Sequence, residues 1–131
     1  MKYIGFIKEY NNIPEVLALN DYRSAKDYDM DENLRINIIN YLKNGNIILS
    51  WMGVFIDVEN NRLIAPQIYY SDGEWIWPSY LIYYLEKDVS FNLGKDFINN
   101  LQEKGFLMKI ISKERLCEIE NTFCEKLEKH L

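Results

Sequence analysis

The sequence predicts an α/β fold of the α+β kind, a three-stranded antiparallel β-meander packed with four to five helices, in one domain spanning residues 1–131. Three observations predict it. Apolar residues recur at helical spacing in residues 31–44 and again beyond 112. Two apolar runs, 46–57 and 62–70, carry strand patterns. A tight-turn signal, Ser71-Asp72-Gly73-Glu74, leads into a third strand at Trp75-Ile76-Trp77.

The elements follow in order. Tyr3 to Tyr10 fits helical spacing through Tyr3, Ile7 and Tyr10 and also fits a short strand; a helix is expected there. Residues 11–31 read as a polar connection containing Pro14 and one turn of helix. Asp29 and Glu32 have capping-box spacing, Leu34, Ile38, Tyr41 and Leu42 share one face, and Asn44-Gly45 supplies a left-handed stop, so a helix is expected over 31–44. From 46 to 57 apolar residues occupy both alternating positions, Ile47, Leu49, Trp51 and Phe55 against Ile48, Met52, Val54 and Ile56, which predicts a strand covered on both faces. Glu59, Asn60 and Asn61 turn the chain, and Pro66, which cannot donate to a ladder, marks the returning strand as an edge or a bulge. Pro78 and Ser79 start a helix that runs to about Lys87 with Leu81, Ile82 and Leu85 inward. A helix from Leu93 to Lys104 ends before Gly105, and Phe106 to Ile111 adds a short strand. Ser112 caps a last helix in which Leu116, Ile119, Phe123 and Leu127 recur opposite Lys113, Glu118, Glu125 and Glu128.

Composition narrows the class. At 131 residues, 48% apolar and 27% charged, the chain is globular in type. No apolar run after a basic start resembles a targeting peptide, and 46–56 is about half a bilayer span, so a cytoplasmic protein without membrane insertion is expected. The formal charge of −5 disfavours direct nucleic-acid binding, which rests on Lys and Arg neutralising phosphate. Between Glu15 and Glu32, the acids Glu15, Asp21, Asp27, Asp29, Asp31 and Glu32 face only Arg23 and Lys26, and most of the net charge sits there. An acidic stretch of this kind suits a basic protein partner.

The residues capable of chemistry are few. A hydrolytic triad needs a base, and the one histidine is His130. Cys117 and Cys124 lie two helical turns apart, too far for a disulfide, and lack partners for a metal site, so free thiols and no metal are expected. No phosphate-cradling glycine motif is present and no cofactor is implied. Asp57, Asp72 and Glu74 could serve a carboxylate-based hydrolase, although turn chemistry accounts for the same residue types. The aromatic load stands out: Tyr69, Tyr70, Trp75, Trp77, Tyr80, Tyr83 and Tyr84 cannot all face one core from adjacent positions. They are read either as interface anchors or as a core whose hydroxyls reach water.

The segment Ser71-Asp72-Gly73-Glu74-Trp75-Ile76-Trp77-Pro78, followed by Tyr80-Leu81 and Tyr83-Tyr84, resembles a family of small bacterial proteins with an S/T-DG-x-W-x-WP signature and a following LxYY helix. The likeness continues through Tyr41-Leu42-Lys43-Asn44-Gly45, Gly53, Phe97 and Gly105-Phe106. It departs at Asn92-Leu93-Gly94-Lys95, where a Leu-Pro pair would be expected. These proteins are similar to immunity proteins of polymorphic toxin and contact-dependent growth inhibition systems. The resemblance implies a non-catalytic protein that binds the C-terminal domain of one cognate toxin and blocks it. Asp72, Gly73, Trp75, Trp77, Pro78, Tyr83 and Tyr84 would be structural signature residues. The acidic stretch then supplies the expected contacts to a basic, nuclease-type toxin: Asp27, Asp29, Asp31 and Glu32 for charge, Tyr22 and Tyr28 as anchors. The other readings are the carboxylate hydrolase and a homodimeric scaffold joined through exposed aromatics.

Overall fold

The structure, a computed structural model, describes residues 1–11, 13, 14, 16–24 and 30–129. Among them the chain forms β1 (Lys2–Tyr3), α1 (Leu19–Ser24), α2 (Glu32–Lys43), β2 (Asn46–Ile56), β3 (Leu63–Ser71), β4 (Trp75–Pro78), α3 (Tyr80–Lys87), α4 (Lys95–Glu103) and α5 (Lys113–Lys129). The α/β class is observed. The sheet has the order β1-β4-β3-β2, with β2–β3 and β3–β4 antiparallel as the meander requires and β1 added parallel to β4.

That fourth strand replaces the helix expected at the start. The N–H groups of Lys2 and Ile4 donate to the carbonyls of Glu74 and Ile76 at 3.0 Å, and Ile7 bridges Leu17 before a single turn in which its carbonyl accepts the N–H groups of Tyr10 and Asn11. The short strand expected over Phe106 to Ile111 is absent; that segment is irregular and largely exposed. Pro66 lies in β3, an inner strand, so the edge reading fails and the bulge reading holds: the register slips between Ser50 and Val54, with Pro66 opposite Val54.

Helix α2 does not start with the capping box expected of Asp29 and Glu32, because its N-cap lies two residues beyond Asp29. Asp31 is the N-cap of α2, its carboxylate accepting the Leu34 N–H at 2.7 Å. The left-handed stop expected at Asn44-Gly45 is not seen, because Asn44 has φ −94°. Gly45 answers a steric demand instead, since a Cβ there would meet the Trp77 ring at 2.5 Å and the Tyr70 Cβ at 2.9 Å. Ser112 accepts the Arg115 N–H at the start of α5, and Ile119, Phe123 and Leu127 form its buried face.

Tyr70 pairs with Trp77 across the ladder, and both point to the face covered by α2, where the Trp77 indole N–H donates to the Leu42 carbonyl at 3.2 Å. Tyr69 points the other way, onto Phe123 of α5 at 4.8 Å between ring centroids and onto Phe6. The aromatics therefore build the core. Tyr69, Trp75, Trp77, Tyr80 and Tyr84 are buried, while Tyr70 and Tyr83 are half-buried. The hydroxyls of Tyr69, Tyr80, Tyr83 and Tyr84 bond internally, with Tyr80 donating to Asn11 at 2.8 Å and Tyr84 paired with Tyr10 at 2.7 Å.

Candidate functional site

The acidic stretch ends at the N-terminus of α2. Asp31 and Glu32 are both exposed there, whereas Asp27, Tyr28 and Asp29 lie outside the described residues. Tyr22, expected as a surface anchor, is buried: its hydroxyl donates to the Phe6 carbonyl at 2.7 Å and its ring stacks on Phe91 at 4.7 Å. Its apolar surroundings hold the phenol well above its ordinary pKa, so Tyr22 belongs to the core.

Beyond Glu32, the side chains of α2 border a groove against the end of α3. A cavity of about 530 Å³ is lined by Ile36, Ile39, Leu85 and Val89, with Glu32 and Glu86 among its walls. Ile36 and Val89 are well exposed, so the floor is apolar and open. Arg35 also lines it but faces inward: its guanidinium donates to the carbonyls of Leu85, Asp88, Val89 and Phe91 at 2.9 to 3.3 Å. These include carbonyls that the end of a helix leaves without partners, and Arg35 satisfies them while complementing the dipole. Burial lowers the Arg35 pKa from its ordinary value, yet such a group stays charged at any physiological pH. Of the outward charges, Glu86 meets Lys43 at 3.1 Å, and Asp31 and Glu32 give the α2 end of the groove its negative sign.

The remaining carboxylates are engaged in holding the fold. Asp57 has no solvent contact and accepts from Lys87 Nζ and the Tyr83 hydroxyl, each at 2.7 Å, and from the Glu59 N–H. Burial works to raise its pKa, but these three donors and the Lys87 charge outweigh it and hold it at about 2. Arg23 extends the network, pairing with Glu59 at 2.6 Å and Asp88 at 2.5 Å, so the β2–β3 hairpin is tied to α1 and α3.

In the turn before β4, Asp72 is buried, and its Oδ1 accepts the N–H groups of Glu74 and Trp75 while its Oδ2 accepts the Tyr41 hydroxyl at 2.7 Å. Gly73 takes φ +96°, which its neighbours' side chains could not. A cleft of about 460 Å³ opens beside this turn, lined by Asp72, Glu74, Lys104, Lys109 and Arg115 among others. Two carboxylates therefore do share a cleft. Glu74, however, bonds Lys104 at 3.0 Å, and that bond lowers its pKa, the reverse of what a general acid needs. Among the described residues no cluster of three or more His, Cys, Asp or Glu could hold a metal ion, and no helix is long and apolar enough to cross a membrane. Cys117 and Cys124 are free thiols.

Sequence reasoning missed one region altogether. β2 was expected to be covered on both faces, yet it is an edge strand, and Ile47, Trp51, Met52, Val54 and Ile56 are exposed along it, as is Leu63 opposite Ile56. Apolar residues at both alternating positions carry the same pattern whether the second face meets a helix or water. The signal that was available is the absence of any charge from Asn46 to Ile56. The groove residues Ile36 and Val89 were missed too, because a single isoleucine on a polar helix face reads as incidental.

Compared with protein-family models, curated proteins and solved structures, the chain finds no match. The likeness at Ser71–Pro78 rests on its residues alone.

Proposed function

We propose that this chain is an immunity protein, which binds the C-terminal domain of a cognate toxin one to one and blocks it. The observation that carries the reading is the α2–α3 groove, an open apolar floor of Ile36, Ile39, Leu85 and Val89 with Asp31 and Glu32 exposed at its α2 end and Arg35 turned inward onto backbone carbonyls. A groove of this kind fits a protein segment that carries apolar side chains beside Lys or Arg. The apolar contacts would supply residence time, and the charges would supply orientation and association rate. A basic, nuclease-type toxin domain has that chemistry. The resemblance at Ser71–Pro78 points the same way, and the carboxylates of Asp57, Asp72 and Glu74 are occupied by fold-holding bonds.

The test is titration against the toxin domain encoded by the adjacent reading frame, by calorimetry and stopped-flow fluorescence. A one-to-one complex is expected, formed more slowly as salt rises. Joint replacement Asp31→Asn with Glu32→Gln should slow association several-fold and flatten its salt dependence, and Ile36→Ser should speed dissociation. No complex at all would sink the immunity reading. A complex indifferent to these three replacements would remove the toxin from the groove.

A further inference from the structure

The walls of the α2–α3 groove decide what kind of backbone can lie in it. Among the described residues both walls are helical, so their N–H and C=O groups bond along their own axes. Where α3 ends, Arg35 takes the carbonyls of Leu85, Asp88, Val89 and Phe91. An extended segment pressed onto the apolar floor would find no ladder to complete, and each of its peptide groups buried without a partner would cost free energy comparable to a lost hydrogen bond. A helix arrives with its backbone already bonded. Helices packed at about 8–10 Å leave between them a furrow that takes the side-chain ridge of a third.

The groove also sets the length and polarity of its occupant. Glu32, Ile36, Ile39 and Lys43 stand at i, i+4, i+7 and i+11 of α2, which places them in one stripe along about 16 Å of helix axis, or about three turns. Ile36 and Ile39 form the middle of the stripe, with Leu85 and Val89 beside them. One end is crossed by the Lys43–Glu86 pair at 3.1 Å, whose charges offset each other. The other end carries the exposed Asp31 and Glu32, and the nearest cation on α2, Arg35, is turned onto the backbone carbonyls. A cation is therefore wanted at that end alone.

On the basis of the immunity role above, we propose that the groove receives one amphipathic helix of the toxin domain, about three turns long. Apolar residues at i and i+4 of that helix sit between Ile36 and Val89, and a Lys or Arg one turn further on lies over Glu32. A toxin held there by a loop or a strand would keep the immunity role and lose the helix, so the two claims fail separately.

Photo-crosslinking of the intact chain to the toxin domain encoded by the adjacent reading frame tests this. Benzoylphenylalanine replaces Ile36 in one variant and Val89 in another, both at well-exposed positions, and mass spectrometry maps the toxin residues captured. Captures from both positions are expected within one toxin segment, at helical spacings of three, four or seven, with a Lys or Arg about a turn away. Changing that toxin cation to Gln together with Glu32→Gln should weaken Kd at least about twofold less than the product of the two single losses. Captures at a spacing of two, or spread over separate segments, overturn the helix and leave the immunity role standing. A complex with no capture from either position overturns docking in the groove, and the absence of any complex overturns both claims. If a variant does not fold, nuclear magnetic resonance of the wild-type complex decides. Contacts from the Ile36 and Val89 methyl groups to a toxin segment with helical chemical shifts support the proposal, and contacts to an extended segment, or none, refute it.

Discussion

Trp77 and Trp51 belong to one sheet, yet Trp77 has no solvent contact while Trp51 is 43% exposed. The strands that carry them are similarly apolar. What separates them is position in the sheet: β4 lies between β1 and β3 and receives α2 over Trp77, whereas β2 closes the sheet on one side. Burial here follows topology rather than composition. The interior half is aromatic and threaded with hydroxyl hydrogen bonds, and the outer edge, Trp51 apart, is aliphatic with little to bond. A core of rings needs specific partners for its polar atoms, whereas a surface of methyl and methylene groups accepts any complementary apolar shape.

The contrast can be broken most severely at Trp77. Trp77→Ala should cost about 3–5 kcal/mol by urea denaturation, since it empties a packed site and removes the indole bond to the Leu42 carbonyl. A loss below about 1 kcal/mol would mean that the interior is less closely packed than described.

The next largest effect lies at the joint between the regions, where Asp57 ties the hairpin to α3. Its folded pKa of about 2 lies below the ordinary 3.8, so the stabilisation is fully present above about pH 4 and fades as pH falls toward 2. The two values correspond to about 2 kcal/mol. Asp57→Asn should lose roughly that amount at pH 7 and flatten the fall in urea midpoint between pH 4 and 2. An unchanged acid limb would show that another carboxylate governs it.

The smallest effect belongs to the edge. Met52→Ala removes a side chain with no burial to lose, and it should shift stability by less than about 0.5 kcal/mol in urea denaturation.

Much of this was legible in the residues. Helix α2 announced itself through Asp31, Leu34, Ile38 and Leu42, α5 through Ile119, Phe123 and Leu127, and the meander through its turn chemistry. The start was not legible, because a two-residue strand leaves no period to detect and Tyr3, Ile7 and Tyr10 match a helix by chance. Whether the rings faced water was also hidden. That answer depends on Asn11 and Tyr10 returning from the N-terminal segment to meet Tyr69, Tyr80 and Tyr84. Of the proposed groove, the exposed charges of Asp31 and Glu32 were visible in the sequence. Arg35 carried no signal, since the carbonyls it binds lie 50 to 56 positions further along the chain.

Those long-range bonds bear on how the protein is made. The Ile7 N–H waits for the hydroxyl of Tyr80, 73 positions later, and Tyr10 for Tyr84. At translation speeds of about 5–20 residues per second, residues 2–11 spend several seconds on the ribosome before anything exists for them to dock on. During that interval Phe6 and Ile7 are bare, sticky peptide. A message truncated before codon 80 would therefore yield a fragment destined for chaperones or proteases, and segments fused ahead of β1 would test how much delay the closing of the sheet tolerates.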